Sequence, residues 1–309
     1  MEKESRIPQF PEFKVVDVED REAVEAHTHK YPPYSDFNFT NLWAWDTKDT
    51  RDERMISELN GNLVVRFTDC DTGVFFFSFL GTNDPVDTIA KLLRYAEESG
   101  VSSVLRLVPE ESITGVQDPS FLIEEDRNNF DYLYSTEELA LLKGNAFKRK
   151  RQSVSRFLRT YPDAQAFVGT LDSERKNMAA ILNVWYDHRG VGLYNEQRAI
   201  SRLCDSDRTH ELLITVIRTG GSVVAFSIDA ILPNAFALCY FAKADVNYIG
   251  VTEFLNERIA EYLMNQHVKT WNWEQDLGIE GLHRSKMSYR PQSFLKKFTI
   301  SKRDHLSVP

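Results

Sequence analysis

LITVIRTGGSVVAFSIDAILPNAFALCYFAKADVNYIGVTEFLNERIAEYLMNQHVKTWNWE, residues 213–274, decides the fold. Two apolar runs, Leu213–Arg218 and Ser222–Leu232, meet at Gly220-Gly221, and a third, Ala235–Phe241, follows Pro233-Asn234. Runs rich in β-branched and aromatic residues, joined by such turn pairs, read as antiparallel strands. Gly250 to Gln266 then sets Val251, Phe254, Leu255, Ile259, Tyr262 and Leu263 on one helical face. Val268–Glu274 reads as a further strand. The stretch also holds the longest apolar run, Val223 to Phe241, close to the length of a membrane span. Asp229 and Pro233-Asn234 interrupt it, so buried paired strands are expected in place of a membrane helix.

Working outward, Asn145–Tyr161 has helical spacing and Ala166–Leu171 reads as a strand. Ser173 is placed to cap a helix towards His188, and Glu196–Asp205 reads as another helix. A short helix at Ile279–Met287 and a strand at Phe294–Ile300 close the sheet. The first half has the same order with shorter elements. LVVRF and VFFFSFL, flanked by Asn60-Gly61-Asn62 and Asp71-Thr72-Gly73, form a hairpin. A helix over Asp84–Glu98 follows, Gly100 stops it, and VSSVLRLV is a strand. The Pro- and acid-rich first forty residues lead into an aromatic cluster, YPPYSDFNFTNLWAWD, Tyr31 to Asp46. The expectation is an α/β (α+β) protein of two tandem acetyltransferase-like (GNAT-type) domains, 1–142 and 143–309, each a mixed central sheet flanked by helices.

The 309 residues, 42% of them hydrophobic, include 20 Phe, 12 Tyr and 5 Trp, enough for packed cores and against global disorder. Three cysteines, 70, 204 and 239, lie far apart with no CxxC pair. They exclude a disulfide scaffold and a zinc ribbon, and fit a reducing compartment. MEKESRIPQFPEF has no apolar leader core, so a cytoplasmic protein is expected. The net charge of −9 is unevenly spread: residues 1–142 carry 29 acids and 13 bases, residues 143–309 carry 17 acids and 24 bases. The acidic half stands at −16 and the basic half at +7, a division that can mark an anion-binding face.

Two segments concentrate chemistry. KGNAFKRKRQSVSRFLRT, Lys143 to Thr160, has seven bases and no acid. Its apolar stripe is Phe147, Val154, Leu158 and Tyr161, and Lys150 and Arg151 fall on that stripe. Charged heads facing a core need partners. Either they snorkel out or pair with acids, or they line an anion pocket together with Lys143 and Lys148. The second segment is WNWEQDLGIEGLHRSKMSYRP, Trp271 to Pro291. Strand alternation sends Trp271 and Trp273 to one face and Asn272 and Glu274 to the other. Glu274 and Asp276 sit where the strand ends, and Arg284, Lys286 and Arg290 follow. Carboxylates beside cations suit a general base with oxyanion stabilisers, or a salt-bridge network capping a buried strand.

Other chemistries find no support. No GxxxxGK[ST], GxGxxG or GxSxG occurs, and the seven His show no HExxH, so no metal is expected. The loop Ala244-Asp245-Val246-Asn247-Tyr248-Ile249-Gly250 stands where acetyl-CoA enzymes of this layout cradle pyrophosphate. It has one glycine, with an acid where phosphate would approach, so coenzyme A is disfavoured and no cofactor is expected.

Several segments taken together resemble one family. Tyr134-Ser135-Thr136 through Lys143-Gly144 and Lys150-Arg151, Lys243-Ala244-Asp245 with Gly250, and Glu274-Gln275-Asp276-Leu277-Gly278 with Gly281-Leu282, Lys286, Tyr289 and Pro291 are similar to motifs of the phosphatidylglycerol lysyltransferase C-terminal-domain family. YSDFNFTNLWAW is similar to its N-terminal aromatic motif, and the motif order is kept. Asn145-Ala146, Gln152, Ala242 and His283 depart from it; Ala242 replaces a Glu. The resemblance is to the stand-alone branch of largely unassigned function. It implies tandem acetyltransferase-like units and transfer of an aminoacyl group from aminoacyl-tRNA to an amine or hydroxyl acceptor. The acceptor is a lipid headgroup in membrane-bound relatives.

The expected roles follow. Glu274 or Asp276 is the general base or holds the aminoacyl ammonium. Lys150, Arg151, Lys286 and Lys243 neutralise terminal phosphates and the oxyanion. Lys143, Lys148, Arg284 and Tyr289 complete the anion- and substrate-binding set, and tRNA is the expected partner, with a salt-sensitive contact. The rival readings are an acyl-CoA N-acyltransferase and a non-catalytic module for RNA or a phosphorylated metabolite.

Overall fold

The computed structural model describes residues 7–45, 54–69, 72–169, 194–205 and 212–303. The helix expected from Ser173 to His188 lies outside them. The chain forms two compact units: residues 1–131, 275–279 and 295–309 make the first, and residues 132–274 and 280–294 the second. The sequence expectation divides the chain once, at 142/143. Here the units part at 131/132, and the C-terminal segment returns to the first unit, because its last strand pairs there.

In the first unit, β1 (Lys14–Val15), β2 (Met55–Leu59), β3 (Asn62–Thr68) and β4 (Phe75–Leu80) form a sheet in that order, each antiparallel to its neighbour. Asn60 and Gly61 both have positive φ (55° and 76°), the conformation that a two-residue hairpin requires. A second sheet has the order β5 (Leu105–Pro109), β14 (Lys297–Lys302) and β6 (Phe121–Glu125). Three helices, α1 (Arg21–Thr28), α2 (Phe39–Ala44) and α4 (Glu110–Ile113), are short. The long one, α3 (Pro85–Glu98), starts with Pro at its first position and buries Ile89, Leu92, Leu93 and Ala96 against Phe77, Phe79, Leu105 and Ile300.

The aromatic motif of this unit serves a buried ion network. Lys297 is fully buried. Its ammonium meets Asp131 Oδ1 at 2.6 Å and bonds Asp36 as well. Ser35 donates from N and Oγ to Asp131 at 2.8 and 2.7 Å. Gln275 Oε1 accepts from Ser35 Oγ at 2.9 Å. Burial opposes the Lys297 charge, but Asp131 and Asp36 outweigh it and raise its pKa. Burial, with Asp131 alongside, pushes the Asp36 carboxyl up despite the pull of Lys297.

The second unit is built on a seven-stranded sheet of order β13 (Ser293–Leu295), β7 (Asp131–Ser135), β12 (Thr270–Asn272), β11 (Phe236–Ala244), β10 (Ser222–Leu232), β9 (Leu213–Thr219) and β8 (Gln165–Gly169). Its helices are α5 (Thr136–Leu141), α6 (Lys148–Thr160), α7 (Tyr194–Asp205), α8 (Val251–Asn265) and α9 (Glu280–Met287). The β8–β11 meander is antiparallel; α8 then crosses over and β12 pairs parallel to β11. Phe157, Ile217, Phe254, Ile259 and Trp271 centre the core. The expected strand Phe294–Ile300 is two strands: β13 joins this sheet and β14 the three-stranded sheet of the first unit. Apolar alternation runs through both, so sequence pattern alone cannot register the break.

Two features of β11 shape one edge of this sheet. Ile228 faces Phe241 and Asp229 faces Cys239, so Tyr240 is an extra residue and β11 bulges there. The parallel ladder covers only Phe236–Leu238 against Thr270–Asn272. Beyond it β11 runs on to Ala244, while Trp273 N and Glu274 O bond Tyr132 of β7, at 3.0 and 3.1 Å. Parallel strands that stop pairing at one end leave room for side chains and ligands at their carboxyl ends.

Candidate functional site

The carboxyl end of the β11–β12 pair collects most of the chemistry-bearing side chains of the second unit. Glu274 stands at the corner after β12 with φ 56°, a left-handed conformation unusual for a residue with a Cβ. Two contacts hold that corner. Asn272 Oδ1 accepts from Glu274 N at 2.7 Å. The Lys286 ammonium donates to the carbonyls of Trp273 and Glu274 at 2.6 and 3.1 Å. Lys286, on α9, thus caps the backbone that carries Glu274. Its neighbour His283 meets Tyr132 Oη through Nδ1 at 3.0 Å.

An aromatic wall adjoins the corner. Trp273 lies 4.2 Å from the Tyr134 ring, 4.9 Å from Tyr289 and 5.0 Å from Trp271, measured between centroids. Its indole Nε1 is buried with no hydrogen-bond partner among the described residues. The Lys150 ammonium sits 3.5 Å from the Tyr289 ring centroid and 3.4 Å from Glu253 Oε1. Burial lowers the Lys150 pKa, and Glu253 only partly restores it. Burial, then Glu253, pushes the Tyr289 hydroxyl up. Gly250 brings α6 and α8 together: its φ is 92°, and a Cβ there would come within 2.5 Å of the Ser153 carbonyl oxygen.

Deeper in the same sheet, Asp229 is fully buried on β10. Ser227 Oγ donates to its Oδ2 at 2.5 Å and Trp271 Nε1 to its Oδ1 at 3.0 Å. With neutral donors instead of a cation, burial pushes its pKa up to about 7. Cys239, beside Ser227 at 3.8 Å, has its thiol pushed up by burial and then by Asp229; Glu274 and Lys286 also act on it.

Of the residues singled out in the sequence, the structure brings Glu274, Lys286, Tyr289 and Lys150 together through these contacts. Lys243 is near the end of β11, paired with Glu196 of α7 at 2.6 Å. Arg151 is spent on backbone: it donates to the carbonyls of Leu142 and, at 2.7 Å, Gly144. Lys143 and Lys148 are exposed, and Arg284 is an exposed partner of Glu280 at 3.6 Å. Asp276 belongs to the first unit and is buried, its Oδ1 accepting from Gly278 N at 2.9 Å. Ala242, where the motif has Glu, is exposed. Glu253, which pairs with Lys150, Glu196, which pairs with Lys243, and buried Asp229 are acids of this region that sequence reasoning did not single out. Only Asp229 left a signal, as an acid inside an apolar strand.

No group of three or more His, Cys, Asp or Glu suited to a metal ion occurs among the described residues. Among the same residues, no helix is long and apolar enough to cross a membrane.

Comparison with known structures places the fold. A conserved protein of unknown function from Bacteroides thetaiotaomicron is 26% identical over 94% of this chain and 99% of its own, with a TM-score of 0.82. The C-terminal domain assigned to a lysylphosphatidylglycerol synthetase of Agrobacterium fabrum is 12% identical over 92% of each chain, with a TM-score of 0.67. L-PGS from Bacillus licheniformis is 14% identical over 97% of this chain and 95% of its own, with a TM-score of 0.66. At such identities the last two show the fold alone, a mixed α/β fold of the class expected. Comparison with curated proteins finds no match. The family model "Phosphatidylglycerol lysyltransferase, C-terminal" matches residues 29–301, almost the whole chain, so this protein belongs to that family.

Proposed function

We propose that the protein transfers an aminoacyl group from the 3′ end of a charged tRNA to an amine or hydroxyl acceptor by direct displacement. The acceptor attacks the ester carbonyl and gives its proton to the Glu274 carboxylate; the carbonyl–oxygen ester bond then breaks, and the tRNA 3′ oxygen leaves with that proton, returned by Glu274. Lys150, with its ammonium on the Tyr289 ring, is the cation best placed to meet developing negative charge. Lys286 works on the backbone and holds the Glu274 corner. The observation that carries the reading is Glu274 itself, kept in a strained left-handed corner by Asn272 and Lys286 at the open end of the β11–β12 pair. Exposed Lys143, Lys148 and Arg284 add a salt-sensitive contact for the tRNA backbone. Asp276 takes no part in this version.

The coenzyme A alternative is disfavoured by the loop after β11. Asp245 Oδ1 accepts from Asn247 N at 2.9 Å and Asp245 O from Tyr248 N at 3.1 Å, so the loop spends its own N–H groups. A non-catalytic RNA-binding reading is favoured by Ala242 and by the pairing of Lys243 with Glu196. Transfer of labelled amino acid from charged tRNA to cell extract separates the two. Wild type should transfer and Glu274→Ala should lose about 100-fold or more. Equal transfer by both removes Glu274 as base, and tRNA binding without transfer to any acceptor selects the binding module.

A further inference from the structure

We infer that Asp229 is a positioning residue for the Glu274 corner, acting through the Trp271 and Trp273 side chains. The inference deepens the transfer reading: its effect on turnover rests on that reading, its geometry does not. Asp229 of β10 faces Cys239 of β11, and Trp271 of β12 faces Ala237 of β11. The hydrogen bond from Trp271 Nε1 to Asp229 Oδ1, 3.0 Å, therefore passes over β11 and ties β12 to β10. The tie stands where backbone pairing gives out, because β12 matches β11 over Thr270–Asn272 only and Glu274 follows two residues later. From there the line to the corner is short. The Trp271 ring meets Trp273 edge-on, with centroids 5.0 Å apart and planes at 85°. Trp273 packs on Tyr134 and Tyr289, and its carbonyl shares the Lys286 ammonium with that of Glu274. In a close-packed wall of this kind a tilt of one ring is passed to the next.

A carboxyl is a costly choice for this task. A buried indole N–H needs an acceptor, and a neutral amide oxygen would serve at a lower desolvation cost. Asp229 is fully buried, and Ser227 Oγ donates to its Oδ2, which orients the carboxylate and leaves Oδ1 to Trp271. Ionised, Asp229 accepts from both donors, and both bonds are charge-assisted. Protonated, it donates a hydrogen of its own, and the hold on Trp271 weakens. Burial puts its pKa at about 7, so the two forms exchange near neutral pH. Few neighbours act on this balance. Cys239 of β11 is the titratable group acting on Asp229 among the described residues, and Glu274 and Lys286 act in turn on Cys239. On β9 the facing residue is Leu213, and α8 brings Val251, Leu255, Ile259 and Leu263 to the core around Trp271. The corner is therefore held firmly above about pH 7 and slackens below it.

Nitrogen-15 NMR of the tryptophan indoles in the full chain, read beside transfer kinetics, tests this. In wild type the Trp271 and Trp273 Nε1–H signals should both move between about pH 5 and 9, with one shared midpoint near 7. Trp271→Phe and Trp273→Phe identify the two signals by their loss. Asp229→Asn keeps an oxygen for Trp271 and should hold both signals still. In transfer, Asp229→Leu should lower kcat about tenfold or more, with KM for charged tRNA unchanged within about twofold. Asp229→Asn should restore most of that rate and lack the wild-type fall below about pH 7. A Trp271 signal that ignores pH overturns the inference, and so does a static Trp273 signal beside a titrating Trp271. Unchanged kcat in Asp229→Leu overturns it as well. If wild type transfers to no acceptor, the transfer reading falls by itself, and the two indole signals still decide whether Asp229 sets the corner.

Discussion

Each unit buries a charge-bearing group completely, and the two solutions are opposite. In the first unit Lys297 is surrounded by Asp36 and Asp131, with Ser35 and Gln275 filling the remaining hydrogen-bond sites. In the second, among the described residues, Asp229 has the Ser227 hydroxyl, the Trp271 indole and the Cys239 thiol. Counter-charge keeps Lys297 ionised, whereas neutral donors leave Asp229 poised near pH 7. The first arrangement ties distant chain segments, Ser35, Asp131, Gln275 and Lys297, into one unit. The second places a proton-binding group in the sheet that carries Glu274.

The largest expected effect comes from breaking the compensated network. Lys297→Met strands two buried carboxylates and should cost about 3–5 kcal/mol in denaturant unfolding. A loss below about 1 kcal/mol would mean that the carboxyls simply take up protons and that counter-charge is not what holds the network.

Next in size is the pH dependence set by Asp229. Its folded pKa, about 7, lies above the ordinary carboxyl value, so the folded state binds more protons between about pH 4 and 7. Its contribution therefore falls as pH rises through that window and is flat above it, by roughly 4 kcal/mol at most. Asp229→Asn should remove that slope and make the protein at least as stable as wild type at pH 8. Parallel stability curves for the two proteins would show that the carboxyl is effectively solvated, and the contrast with Lys297 would disappear.

The smallest effect concerns Glu274. Its left-handed backbone costs about 1 kcal/mol with a Cβ present. Glu274→Gly should raise stability by up to that amount while abolishing transfer, a trade expected where strain serves a site. A variant both less stable and fully active would make Glu274 a structural residue, as Lys297 is.

Much of the scaffold was legible in the residues. Gly220-Gly221, Asn60-Gly61 and the spacing of Val251, Phe254, Leu255 and Ile259 report local conformations, and local conformations have local signals. The pairing Lys150–Glu253 spans more than 100 residues of chain, and nothing in either helix announces the other. The charge run at Lys143–Thr160 likewise did not reveal that Arg151 is spent on the carbonyls of Leu142 and Gly144. The Glu274–Asp276 pair looked like one constellation because a single residue separates them in sequence. Glu274 belongs to the second unit, whereas Asp276 belongs to the first, where it is buried and accepts from Gly278 N.

The sequence by itself determined the strands and helix of residues 213–274, the acidic and basic halves, and the family motifs. Periodicity, turn residues and composition act over a few residues at a time. Only the tertiary structure decided which charges are neutralised, where β11 and β12 stop pairing, and that β13 and β14 serve different sheets. Those outcomes depend on desolvation and on partners brought from far along the chain, and neither is written in any one segment.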